Sequence, residues 1–240
     1  MLESLPLSNL LILDVETVPL FEKREQMPEK LKSLWAKKSD YLNKDEIPED
    51  EFYQRAGIYA EFGKIVCISV GIFANPEGTE FRVKSFSGDD EKEILTSFSK
   101  LLNAQGHRVL CAHNGKEFDF PYLARRIVIN GLKMPKMLEI AGKKPWEIPF
   151  LDTLELWKFG DYKSYTSLEL LTTILNIPSP KDDIQGSDVY RVYYEEKGID
   201  RITKYCEKDV LAVAQLLLRF RNQPLLSAEN ISGMSMDVIA

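Results

Sequence analysis

The sequence predicts an α/β fold in which helices flank a mixed five-stranded sheet, with three antiparallel strands followed by two parallel ones. Three observations support this prediction. Short apolar runs alternate with amphipathic stretches along the chain. An Asn-Pro-Glu-Gly sequence at residues 75–78 joins two apolar runs and is typical of a hairpin turn. The later strands each follow a helix, and a crossover of this kind allows parallel pairing.

Each element is predicted from the spacing of its apolar residues. The predicted strands cover residues 9–16, 64–73, 79–86, 108–112 and 149–152. Apolar residues recur at helical spacing over residues 89–103, 118–130, 167–176, 188–197 and 199–221, which predicts five helices. Residues 21–61 are highly charged with some apolar residues at helical spacing, and we interpret them as a helical insertion. Residues 1–222 are therefore predicted to form a single domain, and residues 223–240 a loosely ordered C-terminal tail.

Composition excludes several classes of protein. The chain of 240 residues has a net charge of −6, which argues against a general nucleic-acid coat protein but not against an enzyme with clustered carboxylates. The longest apolar runs are too short to span a membrane, and the first residues do not resemble a signal peptide. The three cysteines show no paired spacing, so we expect reduced thiols and a cytoplasmic protein.

Three groups of polar residues follow or interrupt apolar segments. Asp14 and Glu16 lie two apart at the end of the first strand, so they project from one face and repel each other unless a cation is present. Asp119 follows His113-Asn-Gly at a strand-to-helix junction. Tyr205 and Asp209 share one face of the last helix. Taken singly, each group also fits a structural role: a surface strand end, a helix cap, or the rim of an amphipathic helix.

Taken together, the order and spacing of these groups resemble the DEDD (DnaQ-like) superfamily of 3′–5′ exonucleases. Asp14-Val-Glu16-Thr17 resembles the first motif, Asn114-x-x-x-Phe118-Asp119 the second motif as found in family B DNA polymerase proofreading domains, and Tyr205-x-x-x-Asp209 the third motif. The histidine branch would place His at position 204, where this chain has Lys, and this favours the tyrosine branch (DEDDy). The likeness is greatest to predicted stand-alone bacterial exonucleases related to the polymerase domain.

The resemblance implies a ribonuclease-H-like fold and two-metal hydrolysis of the terminal phosphodiester of a nucleic acid. Asp14 would bridge two divalent ions, Mg²⁺ or Mn²⁺. Glu16 and Asp209 would hold the ion that binds the attacking water, and Asp119 would support the other ion. Tyr205 would orient the nucleophile. Ion pairs of this kind clamp an in-line displacement.

Other residues are candidates for contact with the 3′ end of the nucleic acid, which we expect to be single-stranded DNA rather than RNA. The resemblance implies contacts from Thr17, Asn114 and Phe118, and Lys116 is a candidate phosphate ligand. Asp152 is expected behind the site or as a helix cap. A basic loop near residues 125–144 is interpreted either as a strand-binding surface or as a solvated loop. The acidic stretch 40–51 is expected away from the substrate or at a protein interface.

Two alternatives stay open at this stage. The chain could be a catalytically silent nucleic-acid-binding or interaction module on the same fold. The segment Leu13-Asp-Val-Glu-Thr17 loosely resembles the Asp-x-Asp-x-Thr nucleophile strand of haloacid-dehalogenase-like phosphatases, with Asp182-Asp183 as a later acidic pair, but no lysine-bearing strand precedes that pair. A polymerase or repair partner is not identified by the sequence.

Overall fold

A computed structural model of the chain describes residues 6–161, 165–178 and 184–235. Its mixed sheet has six strands in the order β5-β4-β1-β2-β3-β6. The strands are β1 (Leu10–Pro19), β2 (Gly63–Phe73), β3 (Phe81–Ser87), β4 (Val109–Ala112), β5 (Leu151–Asp152) and β6 (Ile231–Ser232). The first three strands are antiparallel, and β4 and β5 continue from β1 in parallel. The predicted fold class and the placement of its five strands are thereby confirmed.

Helices cover both faces of the sheet. They are α1 (Glu29–Leu42), α2 (Glu49–Tyr53), α3 (Glu91–Ala104), α4 (Asp119–Ile129), α5 (Thr153–Lys158), α6 (Leu168–Ile174), α7 (Val189–Tyr194) and α8 (Ile199–Phe220). Each helix predicted from apolar spacing is present, with its ends shifted by a few residues. Across the described ranges, no helix combines the length and apolar character that a bilayer crossing requires.

Alternate residues of β1 enter two different apolar cores. Leu11, Leu13 and Val15 face the core that includes α3 and α4. Leu10 and Ile12 face the other core, which is completed by α8. Because side chains of a strand alternate, the next residues on the α8 side are Asp14 and Glu16. The apolar pattern of β1 therefore directs both acids toward α8.

The segment after residue 222 differs from the expected loose tail. Its strand β6 pairs in parallel with β3, which adds a sixth strand to the five predicted. Gln215 of α8 exchanges two hydrogen bonds with the backbone of Leu226, at 2.9 and 3.0 Å. The segment has too few apolar residues to show a periodicity, so its order depends on partners that are distant in sequence.

The segment predicted as a helical insertion contains α1, α2 and a 3-10 turn at Gln54–Ile58. These elements enclose a small aromatic core of their own around Trp35, which is fully buried. Phe52, Tyr53 and Phe62 place their rings within 6.0 Å of the Trp35 ring, measured between centroids. The charged residues of the segment lie on the outside of this core, which accounts for its weak apolar periodicity.

Candidate active site

The two acids of β1 lie where the sheet meets α8. Asp14 and Glu16 pair across the sheet with Ser69 and Cys67 of β2, and the register shifts directly after Glu16. Glu16 is buried. A strand shift of this kind increases the local twist and re-aims the following side chains. The apolar run of β1 thus ends in two neighbouring carboxylates on one face.

Helix α8 brings three more polar side chains to this place. The Cys206 thiol donates a hydrogen bond to the Asp14 carbonyl oxygen at 3.4 Å, which fixes the helix against β1. One turn on, Asp209 accepts a hydrogen bond from the Tyr205 hydroxyl. Asp14, Tyr205 and Asp209 line one cavity of about 650 Å³. The structure therefore joins the first and third predicted motifs.

The second motif is held in place by Asp152. One carboxylate oxygen of Asp152 accepts from the backbone N–H groups of Asn114 and Leu154, both at 2.9 Å, and the other accepts from Lys116 N–H at 3.0 Å. Asp152 thus caps α5 and also ties down the loop that leads to Asp119. Asn114 adopts a left-handed backbone, with φ of 60°, which Asn tolerates. The turn places Asp119, which is 4% exposed, at the start of α4.

The acids perturb one another electrostatically. Burial, followed by repulsion from Asp119, raises the pKa of Asp14 to about 7. Burial, followed by repulsion from Asp14 and Asp209, raises the pKa of Glu16 well above its usual range. Burial also raises the pKa of Asp119 to about 7, with Asp152 and Asp209 adding repulsion. Like charges held out of water favour protonation or a bound cation.

The donor set fits a divalent metal. Asp14 Oδ2 is buried and has no hydrogen-bond partner among the described residues. One ligand atom each from Asp14, Glu16 and Cys206 lies within 4.8 Å of the other two. Carboxylate oxygens are the ligands that Mg²⁺ and Mn²⁺ prefer. The Cys206 thiol already donates to the Asp14 carbonyl oxygen, and a soft sulfur ligand is not the kind that Mg²⁺ prefers, so the carboxylates are the candidate ligands.

The residues predicted to bind substrate lie in different surroundings. Thr17 and Phe118 line a second cavity of about 480 Å³ together with Glu16. The Lys116 ammonium pairs with Glu155 at 2.6 Å, so a phosphate would have to compete with this carboxylate. Asn114 contributes the left-handed turn described above. The substrate contacts of these four residues stay predictions.

Some side chains of the two charged segments turn toward the interior or line cavities. In the basic loop, Arg126 is buried in an ion pair with Glu91, while Lys136 and Lys143 line a cavity at the start of β4, opposite the end that leads to His113. In the acidic stretch, Glu51 lines the cavity that contains Glu16, and the placement of the stretch away from the substrate or at a protein interface stays a prediction. Position in a charged run does not reveal which side chain turns inward. Asp182-Asp183, the acidic pair of the phosphatase alternative, lie outside the described residues.

Sequence reasoning overlooked His113 and the turn at Gly186–Asp188. His113 lines the cavity with Asp14 and donates from Nε2 to the Thr166 carbonyl at 3.0 Å, while Nδ1 lies 2.9 Å from Thr153 Oγ1. Burial lowers the pKa of His113, which favours the neutral ring. Gly186 and Ser187 line both cavities. The position of His113 directly after β4 was a usable signal, whereas the turn had none.

The sequence is similar to those of DNA polymerases. The chain is 22% identical over 139 residues to a DNA polymerase of Pyrococcus glycovorans, a match covering 52% of this chain and 18% of the relative. It is 24% identical over 177 residues to DNA polymerase 1 of Pyrococcus abyssi, covering 65% and 22%. The chain therefore spans about a fifth of the length of these relatives.

A solved structure shares the fold. The family B DNA polymerase of the hyperthermophilic archaeon Pyrobaculum calidifontis superposes with a TM-score of 0.50 at 14% identity, covering 88% of this chain and 24% of the polymerase. Residues 58–229 match a family described as predicted 3′-5′ exonucleases related to the exonuclease domain of PolB. This range includes Asp119, Tyr205 and Asp209 and begins after Asp14 and Glu16. The chain belongs to this family of predicted exonucleases.

Proposed function

We propose that this protein is a metal-dependent 3′–5′ exonuclease of the tyrosine branch that releases nucleoside monophosphates. The observation that carries the proposal is the meeting of the acids of β1, α4 and α8, with Asp14 Oδ2 buried and without a hydrogen-bond partner among the described residues. A fold would not gain stability from such a cluster, because buried like charges oppose folding. A bound cation removes the conflict, so the cluster is explained by a function.

The four acids would hold two divalent ions, Mg²⁺ or Mn²⁺. We assign Asp14 to both ions, Glu16 and Asp209 to one, and Asp119 to the other. When bound, such ions supply a hydroxide near neutral pH and stabilise charge on the leaving oxygen. The protein contributes the fixed positions of these carboxylates, because Asp14 and Glu16 sit on the central strand and Asp119 follows a loop held by Asp152.

Tyr205 would orient the attacking water as a neutral hydroxyl. Burial, followed by repulsion from Asp209 and Glu16, raises the pKa of Tyr205 beyond the range in which it could ionise during turnover. A group that keeps its proton cannot serve as the general base. Its hydroxyl can instead donate its single proton to Asp209 and accept a hydrogen bond from a water at the same carboxylate.

We propose single-stranded DNA as the substrate. The support comes from the relatives, which are DNA polymerases. The two cavities meet at Gly186 and Ser187 beside the acids, so a strand passing from one to the other would place a phosphodiester at the carboxylates. A double helix presents its 3′ end base-paired, and a frayed single strand would therefore be the form that enters.

The test uses 5′-labelled single strands of DNA and of RNA with Mn²⁺ or Mg²⁺. We expect progressive shortening from the 3′ end, free mononucleotides, and no cleavage in the presence of a chelator. Asp209→Asn should abolish the reaction. Asp200→Asn is the matched control, because Asp200 is an exposed acid of the same helix.

Two outcomes would contradict the proposal. If no strand of either chemistry releases mononucleotides, the chain is a silent nucleic-acid-binding or interaction module on this fold. If a closed circular single strand is cut as fast as the linear one, the enzyme does not require an end and is an endonuclease.

A further inference from the structure

The end of the inserted segment is fixed to the elements that carry the acids. A side chain could not be added at Gly57, because a Cβ there would lie 2.9 Å from the Val18 carbonyl carbon of β1. The Tyr122 hydroxyl of α4 donates to the Gly57 carbonyl at 2.7 Å, and Arg126 donates to the Ala60 carbonyl at 2.8 Å. The turn Gln54–Ile58 is therefore held firmly against β1 and α4.

The beginning of the inserted segment is fixed as well. Three tyrosine hydroxyls donate to consecutive parts of the chain that leaves β1: Tyr194 to Pro19 O at 2.5 Å, Tyr53 to Phe21 O at 3.0 Å, and Tyr190 to Glu22 O at 2.6 Å. Phe21 packs against the aromatic core of the insertion. The insertion is thus a preformed wall, attached at both ends.

This wall closes one side of the 480 Å³ cavity that contains Glu16 and Thr17. Ligand cavities of small molecules measure about 300–1,000 Å³, so one nucleotide fits. Ile58, which is 52% exposed, and Phe118 supply apolar surface, whereas Gln54 and Arg55 supply hydrogen-bonding groups. A nucleobase needs this combination of an apolar face and a polar edge.

We propose that the turn Gln54–Ile58 completes a subsite for the last nucleotide of the strand, in which Arg55 and Gln54 hydrogen-bond to the base edge. Ile58 and Phe118 pack against the face of this base. This inference rests on the proposed function. An enzyme that removes one nucleotide at a time needs a subsite closed beyond that nucleotide, and the fixed insertion supplies the closure. The other cavity, whose rim carries Tyr165 at 69% exposure, suits the continuing strand.

The charges of the cavity favour a base over a phosphate as the partner of Arg55. Glu51 lines the same cavity, and its carboxylate would repel a phosphate placed beside Arg55. A base is uncharged, and its ring nitrogen and carbonyl acceptors match the planar fork of a guanidinium. Arg55 also lies over the Phe52 ring, 5.5 Å from its centroid, and this contact orients the guanidinium.

The test combines an Arg55→Ala variant with two single strands that differ only at the 3′ nucleotide, one with guanine and one abasic. We expect Arg55→Ala to raise KM about tenfold on the guanine strand, with little change in kcat, and to change KM less than about twofold on the abasic strand. Lys37→Ala is the matched control, because Lys37 is an exposed cation of the same insertion that does not line the cavity.

A second readout separates this inference from the proposed function. Binding of deoxyguanosine monophosphate to the metal-loaded protein is measured by calorimetry, with and without Arg55→Ala. An equal rise in KM on both strands would mean that Arg55 contacts a phosphate, and an unchanged KM on both would mean that it contacts neither base nor phosphate. Either result overturns the inference. A wild-type protein that binds the nucleotide through Arg55 but cleaves no strand overturns the exonuclease proposal alone. A protein that neither cleaves nor binds overturns both.

Discussion

Two groups of buried acids in this molecule have opposite surroundings. Glu91 of α3 is enclosed by donors: it accepts from Ile65 N–H and Arg126 Nε, both at 2.8 Å, and from Arg126 Nη2 and Asn130 Nδ2 at 2.5 and 2.8 Å. Asp14 and Glu16 are enclosed by other acids, and Asp14 Oδ2 has no hydrogen-bond partner among the described residues. One fold thus contains a buried acid with a full set of donors and a cluster of buried and half-buried acids without one.

The different surroundings distinguish an acid that stabilises the fold from acids that destabilise it. A buried carboxylate with a guanidinium and two further donors recovers much of its lost hydration. A cluster of carboxylates loses hydration and adds repulsion, and it persists only because the apolar strands and helices around it are stable. We infer that Glu91 stabilises the fold, whereas Asp14, Glu16, Asp119 and Asp209 destabilise the metal-free fold and serve the proposed reaction. Single substitutions can test this separation.

The largest effect is expected from Asp14→Asn. The amide keeps the shape of the carboxylate but removes the charge that would hold the ions, so cleavage should fall by more than roughly a hundredfold. Apo stability should not fall, since the substitution also removes repulsion from Asp119. Initial rates of mononucleotide release and thermal unfolding in a chelator are the measurements. Glu77→Gln, at an exposed acid in the hairpin turn, is the control.

The distinction between the stabilising acid Glu91 and the destabilising cluster would be wrong if Asp14→Asn lowered apo stability as well as activity. That result would mean that the Asp14 carboxylate supports the fold, and loss of cleavage could then follow from loss of structure.

Glu91→Gln is expected to lower stability while leaving activity nearly unchanged. Removing the charge of Glu91 leaves the Arg126 guanidinium buried without its counter-ion, which costs about 3–5 kcal/mol of unfolding free energy. Turnover per folded molecule should stay near that of the wild type, because Glu91 does not line either cavity at the acids. Urea unfolding measures the loss, and Glu93→Gln, an exposed acid in the same turn of α3, is the control. An unchanged midpoint would show that the ion pair contributes nothing.

Much of the fold and the core of the site could be predicted because both depend on local pattern. The apolar alternation of β1 places Asp14 and Glu16 on one face, and the spacing of Tyr205 and Asp209 places them on one side of a helix. The burial of Arg126 depends instead on its ion pair with Glu91, which lies 35 residues away in the sequence. Strand β6 and the wall carrying Arg55 likewise depend on long-range contacts. Periodicity gives no information about such contacts, so these features emerged only from the folded chain.

A moderate effect is expected from Tyr205→Phe. Removing the hydroxyl should slow turnover about tenfold, because the attacking water loses one orienting group. The midpoint of activation by Mn²⁺ should stay within about twofold, since the phenol is not assigned to the ions. Rates measured across a range of Mn²⁺ concentrations give both the maximal rate and the Mn²⁺ concentration at half-maximal activity. A large shift of the metal midpoint with unchanged maximal rate would assign Tyr205 to the metal site instead.

The smallest effect is the pH dependence of apo stability. It tests directly whether the acids near Asp14 repel one another in the folded state. The pKa values of Asp14 and Asp119 are raised to about 7 in the folded state, whereas unfolded carboxyls ionise near pH 4. Between these limits the folded state keeps protons that the unfolded chain releases. The contribution of each raised group is therefore fully present below the unfolded pKa and is lost as pH rises toward 7. Each retained proton changes the unfolding free energy by at most about 1.4 kcal/mol per pH unit.

Other carboxyls, such as Asp188 with its lowered pKa, give slopes of the opposite sign, so the informative quantity is the difference between two proteins. In a chelator, the unfolding free energy of the wild type relative to that of Asp14→Asn should fall from pH 5 to pH 7. Saturating Mg²⁺ should reverse the trend, because the ions bind the deprotonated carboxylates and their affinity rises with pH. Urea unfolding at several pH values gives both curves. Parallel curves for the two proteins, with and without Mg²⁺, would show that the acids near Asp14 are not in electrostatic conflict, and the distinction between the two buried groups would then have no energetic basis.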